Sequence, residues 1–426
     1  MNVKIEFGYG NSSQTAEIPE KNLLGTLRPN PVPAGPSGEA ELERALANPT
    51  GTPPLSQIVK PGEKIAVITS DITRPLPSYR IIPAVLEQLR QAGAGPEDVT
   101  VVFATGSHRA HTKAEMERLA GKEVFGSVRC VDSDPSDVVR MGVTKRGTPV
   151  DITRVVAEAD RRICIGNIEY HYFAGYSGGA KAIMPGVSTR EAIQANHSYM
   201  LCPEAKAGIL EGNPVRKDID EAARRCPIDF IVNVVLDEKK EIIKAVAGHH
   251  IKAHREGCGY LDLIYKKEIE TLADIVIASP GGAPKDINLY QTQKALDNAC
   301  RAVRRGGVII LAGSCREGLG EEVFERWLTE AENPPSLIER IRRDFQLGGH
   351  KAAAVALALE TADVYLVSEL PGALVRNIFL QPFSTIKEAL KAAFEKLGPD
   401  SSVIAMPFGA STLPALKWQN FKSSNK

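Results

Sequence analysis

Continuous apolar runs rich in β-branched residues recur along the chain: 64–70 (KIAVITS), 99–104 (VTVVFA), 161–166 (RRICIG), 230–237 (FIVNVVLD), 274–279 (DIVIAS), 306–313 (GGVIILAG), 362–369 (ADVYLVSE) and 402–407 (SVIAMP). A strand with one wet face alternates apolar and polar residues, whereas a strand covered on both faces reads as an unbroken apolar run. Amphipathic helical stretches lie between several of these runs, so the pattern predicts an α/β fold with mainly parallel sheets in two α/β domains. The opening residues MNVKIEF alternate instead, which fits a half-buried strand and not a leader sequence. The stretch from about 28 to 62 is rich in Pro and Gly and reads as an irregular connection around one short helix near 39–47. Ser188-Thr-Arg-Glu191 and Thr385-Ile-Lys-Glu388 have the spacing of capping boxes. A polar helix near 251–269 precedes a fresh strand at 274, which places the domain boundary near 272. The expected division is 1–272 and 273–426, with the active site in the cleft between the two domains.

Composition narrows the function. Lys plus Arg and Asp plus Glu both number 52. A zero net charge argues against a nucleic-acid protein that works by bulk attraction. The longest apolar run, Gly307–Gly313, is too short to span a bilayer. The seven cysteines include no Cys-x-x-Cys pair, so neither a disulfide framework nor a cysteine zinc site is expected. They read as small core residues in a protein of the reducing cytoplasm.

Reactive residues recur just after the strand-like runs: Asp71 after KIAVITS, His108 after VVFATG, His171 after ICIGN and Lys285 after IVIASPGG. Ligands of open parallel sheets bind beyond the carboxyl ends of the strands, so these four segments are expected to converge on one crevice.

Each cluster admits more than one chemistry. Asp71 and Arg74 fit either an anion grip or an ordinary ion pair. In Gly106-Ser-His108-Arg-Ala-His111-Thr112, Thr112 is placed to cap a helix, which leaves His108 in the loop mouth as a general base. His111 reads as a structural partner near the helix start. A zinc hydrolase using His108, His111 and a carboxylate is the competing reading. Ser177-Gly178-Gly179-Ala180-Lys181 sets a lysine behind two glycines. Alanine on both sides of the lysine excludes a Walker A loop. A lysine in so apolar a setting fits a covalent tether or nucleophile, because desolvation favours the neutral amine. His197 ends a predicted helix and suits either a cation there or a metal ligand. Tyr290, Gln291 and Lys294 share one helical face, able to bind a hydroxy-carboxylate or merely to be solvated. A non-catalytic module binding a small carboxylate or nucleotide through Arg74 and Lys294 is a third possibility.

Taken in order, Asp71-x-x-Arg74, GSHRAHT, EYHYFAGYSGGAKAIMPG, the following Asn196-His197 and PKDINLYQTQK resemble the lactate racemase family of nickel-pincer enzymes, and the likeness runs on to the C-terminal MPFGAS. The SGGAK segment with its upstream histidine is the specific part. The resemblance implies a nickel-pincer nucleotide, pyridinium-3-thioamide-5-thiocarboxylic acid mononucleotide, attached covalently to Lys181. It implies nickel bound by that cofactor and by His197, with His108 and His171 as acid and base on opposite faces of the substrate. Arg74, Tyr290, Gln291 and Lys294 would bind the substrate. Ser70, Asp71, Arg74, Ser177, Gly178 and Gly179 would contact the cofactor. The implied activity is inversion at C2 of a 2-hydroxyacid, lactate first, through hydride transfer and a 2-keto acid. Malate, another short hydroxyacid or a sugar acid are the alternative substrates. Cofactor-building proteins are the implied partners.

Overall fold

The computed structural model describes residues 1–417. The chain forms two compact units, Val32–Leu263 and Met1–Pro31 joined with the chain from Ile264 onward.

The unit Val32–Leu263 is built on a six-stranded sheet of β1 (Ile65–Ser70), β2 (Val99–Ala104), β3 (Arg129–Asp132), β4 (Arg161–Asn167), β5 (Phe230–Leu236) and β6 (Ile242–Gly248). Their order is β6-β5-β4-β1-β2-β3, parallel except for the edge strand β6. The continuous apolar runs have the predicted cause. Val67, Val101, Phe103, Ile163 and Val232 enter one core under helices, while Ile68, Val102 and Cys164 are equally buried on the other face. The chain runs outward from β1 through β2 to β3, then returns to β4 on the opposite side of β1. The carboxyl ends of β1 and β4 therefore flank a topological switch point, where open α/β sheets bind ligands. Two helices of this unit matter below: α1 (Arg190–His197) and α2 (Pro214–Arg225).

The other unit carries a six-stranded, fully parallel sheet in the order Gln381–Phe383, Ala362–Val367, Val303–Ala312, Ala273–Ala278, Val403–Met406 and Leu23–Thr26. Its last strand comes from the start of the chain. The preceding hairpin, Asn2–Tyr9 with Ser12–Pro19, buries Ile5, Phe7, Ala16 and Ile18 in the same core as Ile275, Val308 and Ala405. This corrects a single break near 272. The first 31 residues belong with the C-terminal part, because a long-range parallel pairing and a shared core hold them there, and the second crossing falls at 263–264.

Thr385 caps its helix as expected, accepting from Glu388 N at 3.2 Å. At α1 the cap is Thr189, one residue later than the spacing of Ser188 and Glu191 predicts, with Ala192 N donating at 3.3 Å. The Ser188 hydroxyl instead donates to Ile183 O at 2.8 Å. All seven cysteines are free; Cys164, Cys226, Cys258 and Cys315 are core residues, while Cys130, Cys202 and Cys300 are partly accessible. Among the described residues no helix is long and apolar enough to cross a membrane.

Candidate active site

Asp71 directly follows β1, and Asp71 is only 3% exposed. One carboxylate oxygen accepts from Nδ1 of His108, and the other accepts from Thr73 Oγ1 at 2.8 Å. Arg74 Nε lies 3.9 Å from the same carboxylate. Burial raises the Asp71 carboxyl, but the His108 hydrogen bond and charge, with Thr73 and Arg74, outweigh it and hold the group below its ordinary range. An ionised carboxylate only accepts, so Nδ1 of His108 carries a proton toward Asp71, and Nε2 is the nitrogen left to exchange a proton with a substrate. His108 sits in a tight turn past β2, its own N–H on Thr105 O at 2.9 Å.

His111 is a structural residue. Its Nδ1 donates to Asp132 Oδ1 at 2.6 Å, and its Nε2 accepts from Ile72 N at 3.1 Å. Both ring nitrogens are thus engaged, which overturns the zinc reading on His108 and His111. The arrangement ties the Asp71 loop to β3. Thr112 caps the following helix in a reciprocal box with Glu115.

His171 lies in a small hairpin, Tyr170–His171 against Gly175–Tyr176, reached from the end of β4. Its Nδ1 accepts from Ala174 N at 3.3 Å. Burial, then the charges of Lys181, His197 and Arg74, hold its pKa well below the usual imidazole value. Those charges mark the groups gathered around it. Phe173 connects two of them: its ring centroid lies 4.5 Å from that of His171 and 4.8 Å from that of His197.

Lys181 stands in the short helix Gly179–Ala182. Burial first, then the Arg216 and Arg74 cations, hold its amine well below the ordinary lysine pKa, against a weaker pull from Glu169. The loop before it requires its glycines. Gly178 and Gly179 have φ of 76° and 61°; a Cβ on Gly178 would meet Asn233 Oδ1 at 2.7 Å, and one on Gly179 would meet the His254 ring at 2.9 Å. Gly186, which ends the segment, accepts from Gly106 N at 2.9 Å and so joins the Lys181 and His108 loops.

Sequence reasoning missed the groups that hold this loop. Arg216 of α2 is fully buried and donates to the carbonyls of Ala174 (3.3 Å), Gly178 (3.4 Å) and Tyr176. His254 Nε2 donates to Ser177 O at 2.7 Å, and Asn233 Oδ1 accepts from Gly179 N at 2.7 Å. The Ser177 hydroxyl donates to Asn167 O at 2.8 Å and accepts from Glu169 N at 2.9 Å, closing the base of the loop.

His197 is the last residue of α1 and is buried. Its Nδ1 lies 3.0 Å from Asn196 Oδ1. Ser70 is the last residue of β1, half-buried at the switch point.

Tyr290, Gln291 and Lys294 lie on α3 (Leu289–Ala299) in the other unit. Asn288 caps this helix through Gln291 N at 3.0 Å. The Tyr290 ring packs 5.4 Å from Phe324, with the Lys351 ammonium 3.9 Å from its centroid, and Lys294 is exposed. Lys285 follows a strand of that unit's sheet, so the four strand-end segments divide between two sheets instead of sharing one. Its neighbour Asp286 is structural, accepting from Gly10 N at 2.7 Å and Ser314 N at 3.0 Å.

Burial of neutral histidines carries a stability signature. Burial, then Arg216 and Arg255, lowers His254 well below 6.5, and burial, then Lys351, lowers His350 to about 3. Below pH 6.5 the unfolded chain takes up protons that the folded chain refuses. Stability should therefore fall as pH drops, by about 1.4 kcal/mol per pH unit for each such histidine. Thermal melts should show a lower Tm at pH 5.5 than at pH 7.5. Equal midpoints would contradict the neutral, buried assignment.

The chain matches the lactate racemase N-terminal domain over residues 9–208 and the lactate racemase C-terminal domain over residues 269–413. It is 35% identical over 421 residues to the lactate racemase of Thermoanaerobacterium thermosaccharolyticum, covering 96% of this chain and 98% of that protein. It is 33% identical over 427 residues to the lactate racemase of Lactiplantibacillus plantarum, covering 96% and 99%. The structure of the T. thermosaccharolyticum lactate racemase apoprotein is similar with a TM-score of 0.89 over 97% of this chain and 100% of that one, at 35% identity. A Thermotoga maritima protein of known crystal structure shares the fold, with a TM-score of 0.62 at 19% identity over 89% of this chain and 97% of its own. Matched by both domain models and by two lactate racemases at 33–35% identity over nearly its full length, the chain belongs to the lactate racemase family, and it is an isomerase.

Proposed function

We propose that this protein inverts C2 of a short 2-hydroxyacid, lactate first, using a nickel-pincer nucleotide tethered to Lys181. The observation that carries the reading is the Lys181 amine in a glycine loop, its basicity lowered by desolvation and by the Arg216 and Arg74 cations, with the loops of His108 and His171 beside it.

The residues fit the proposed group. A neutral amine can be acylated, whereas an ammonium cannot. The close approaches at Gly178 and Gly179 leave the loop backbone bare of side chains. His197 would be the protein's ligand to nickel, imidazole nitrogen being a donor that suits this metal. When bound, the nucleotide supplies reversible hydride uptake, the step that no side chain of this chain provides.

The remaining work falls to the protein. The C2–H of a hydroxyacid is weakly acidic, so its removal as hydride must be accompanied by loss of the hydroxyl proton. His108, with Nδ1–H on Asp71, presents a lone pair for that proton. His171 is proposed to act through Nε2 on the other face: protonated, it gives that proton to the keto oxygen and is left as the neutral ring, which then serves as base for the opposite enantiomer. In the protonated form Nδ1 carries a proton and the 3.3 Å bond from Ala174 N–H is released, a loss of about 1 kcal/mol. Arg74, with its side chain 48% exposed, is available to a substrate carboxylate. Tyr290, Gln291 and Lys294 are proposed to complete substrate binding. Ser70, Asp71, Arg74, Ser177, Gly178 and Gly179 are proposed to border the nucleotide. Maturation would need cofactor-building proteins.

Racemisation of [2-²H]lactate in H₂O tests the reaction class. Hydride return to the same carbon predicts deuterium retained in both enantiomers; wash-out to solvent would replace it with proton abstraction. A panel of lactate, malate, 2-hydroxybutyrate, 2-hydroxyglutarate and gluconate fixes the substrate.

A further inference from the structure

The buried carboxylate of Asp218 on α2 has no part in the chemistry above, yet it leads directly to His197. It is fully buried and accepts three hydrogen bonds: from Thr144 Oγ1 at 2.5 Å, Thr148 Oγ1 at 2.7 Å and Asn196 Nδ2 at 2.8 Å. Asn196, equally buried, also points its Nδ2 at Val215 O, 3.3 Å away. A carboxylate and a carbonyl are both pure acceptors, so together they fix which end of the Asn196 amide is NH₂. The other end, Oδ1, is then an acceptor facing His197 Nδ1 at 3.0 Å. A neutral imidazole facing an acceptor through Nδ1 carries its proton there.

We propose that Asp218 and Asn196 are positioning residues that hold His197 as its Nδ1–H tautomer, so that Nε2 carries the lone pair a metal would take. The significance rests on His197 being the nickel ligand, but the tautomer belongs to the chain itself and is fixed before any cofactor arrives. Partners of this kind typically govern metal affinity by 10- to 100-fold. The same helix supplies Arg216 to the Lys181 loop. Two buried residues of α2, of opposite charge, thus orient the two attachment points.

The test is ¹⁵N NMR of the full-length, cofactor-free chain labelled at histidine, at pH 8, with the His197 signals assigned by their loss in His197→Gln. The unsubstituted chain should show His197 as a single Nδ1–H tautomer. Asn196→Leu removes the acceptor, and Asp218→Leu removes the group that orients it; both should yield a substantial Nε2–H population. Asp218→Asn should restore the single tautomer, because its amide oxygen can accept from Asn196 while its NH₂ donates to the Thr144 hydroxyl. An Nε2–H His197 in the unsubstituted chain overturns the proposal without recourse to any variant. So does an unchanged tautomer in Asn196→Leu. Nickel retention against a chelator, measured on matured protein, is a separate readout. A tautomer that shifts as expected with nickel retention unaltered would count against His197 as the ligand, not against the relay.

Discussion

Alanine at either His108 or His171 should slow racemisation by about 10²- to 10⁴-fold while the adduct on Lys181 stays in place. The two rings differ in what they present. His108 is oriented by a buried, ionised Asp71, which leaves Nε2 basic. His171 is kept neutral by burial and by the cations around it, and its ring is oriented by Ala174 N–H and by Phe173. Racemisation needs proton transfer for both enantiomers, so losing either imidazole should stop interconversion in both directions. The measurement is the time course of optical rotation from each enantiomer, with the mass of the Lys181 peptide as the control. Full turnover in either variant would remove the two-base assignment.

Lys181→Arg should abolish both activity and cofactor attachment, although it keeps a long, nitrogen-bearing side chain. An arginine stays protonated near pH 7 and cannot act as an acylatable amine. The site lowers the basicity of Lys181 through burial and through Arg216 and Arg74, and guanidinium would bring a third permanent cation into that pocket. A companion expectation concerns the apoprotein. Brief treatment with a small acylating reagent at pH 7 should label Lys181 ahead of exposed lysines such as Lys294, because desolvation and the neighbouring cations lower the basicity of its amine. Labelling of Lys181 no faster than of exposed lysines would contradict the depressed basicity.

Much of this was legible in the sequence because strand interiors and glycine punctuation are local signals. The runs around Val67, Val101, Ile163 and Val232 could only be strands covered on both faces, and Asp71, His108 and His171 follow three of them at the carboxyl end. Three kinds of feature were not. The pairing of Leu23–Thr26 with Val403–Met406 spans nearly the whole chain, and four residues carry no periodicity that would announce it. The structural roles of His111 and Ser177 depend on Ile72 N and Asn167 O, backbone groups that no residue pattern reveals. Finally, the helix segment PVRKDIDEAARR reads as a solvated, charged face, yet Arg216 and Asp218 within it are fully buried. Their flanks, Val215, Ile219 and Ala222, mark the apolar stripe correctly; the two charges lie at its edges, where only backbone carbonyls and the Asn196 amide make burial tolerable.

The most direct test is the mass of the peptide containing Lys181, taken from catalytically competent protein made alongside the cofactor-building proteins. The account predicts a covalent increment on that one lysine, matching the nucleotide, and its absence from inactive apoprotein. Competent enzyme in which Lys181 is unmodified would contradict it.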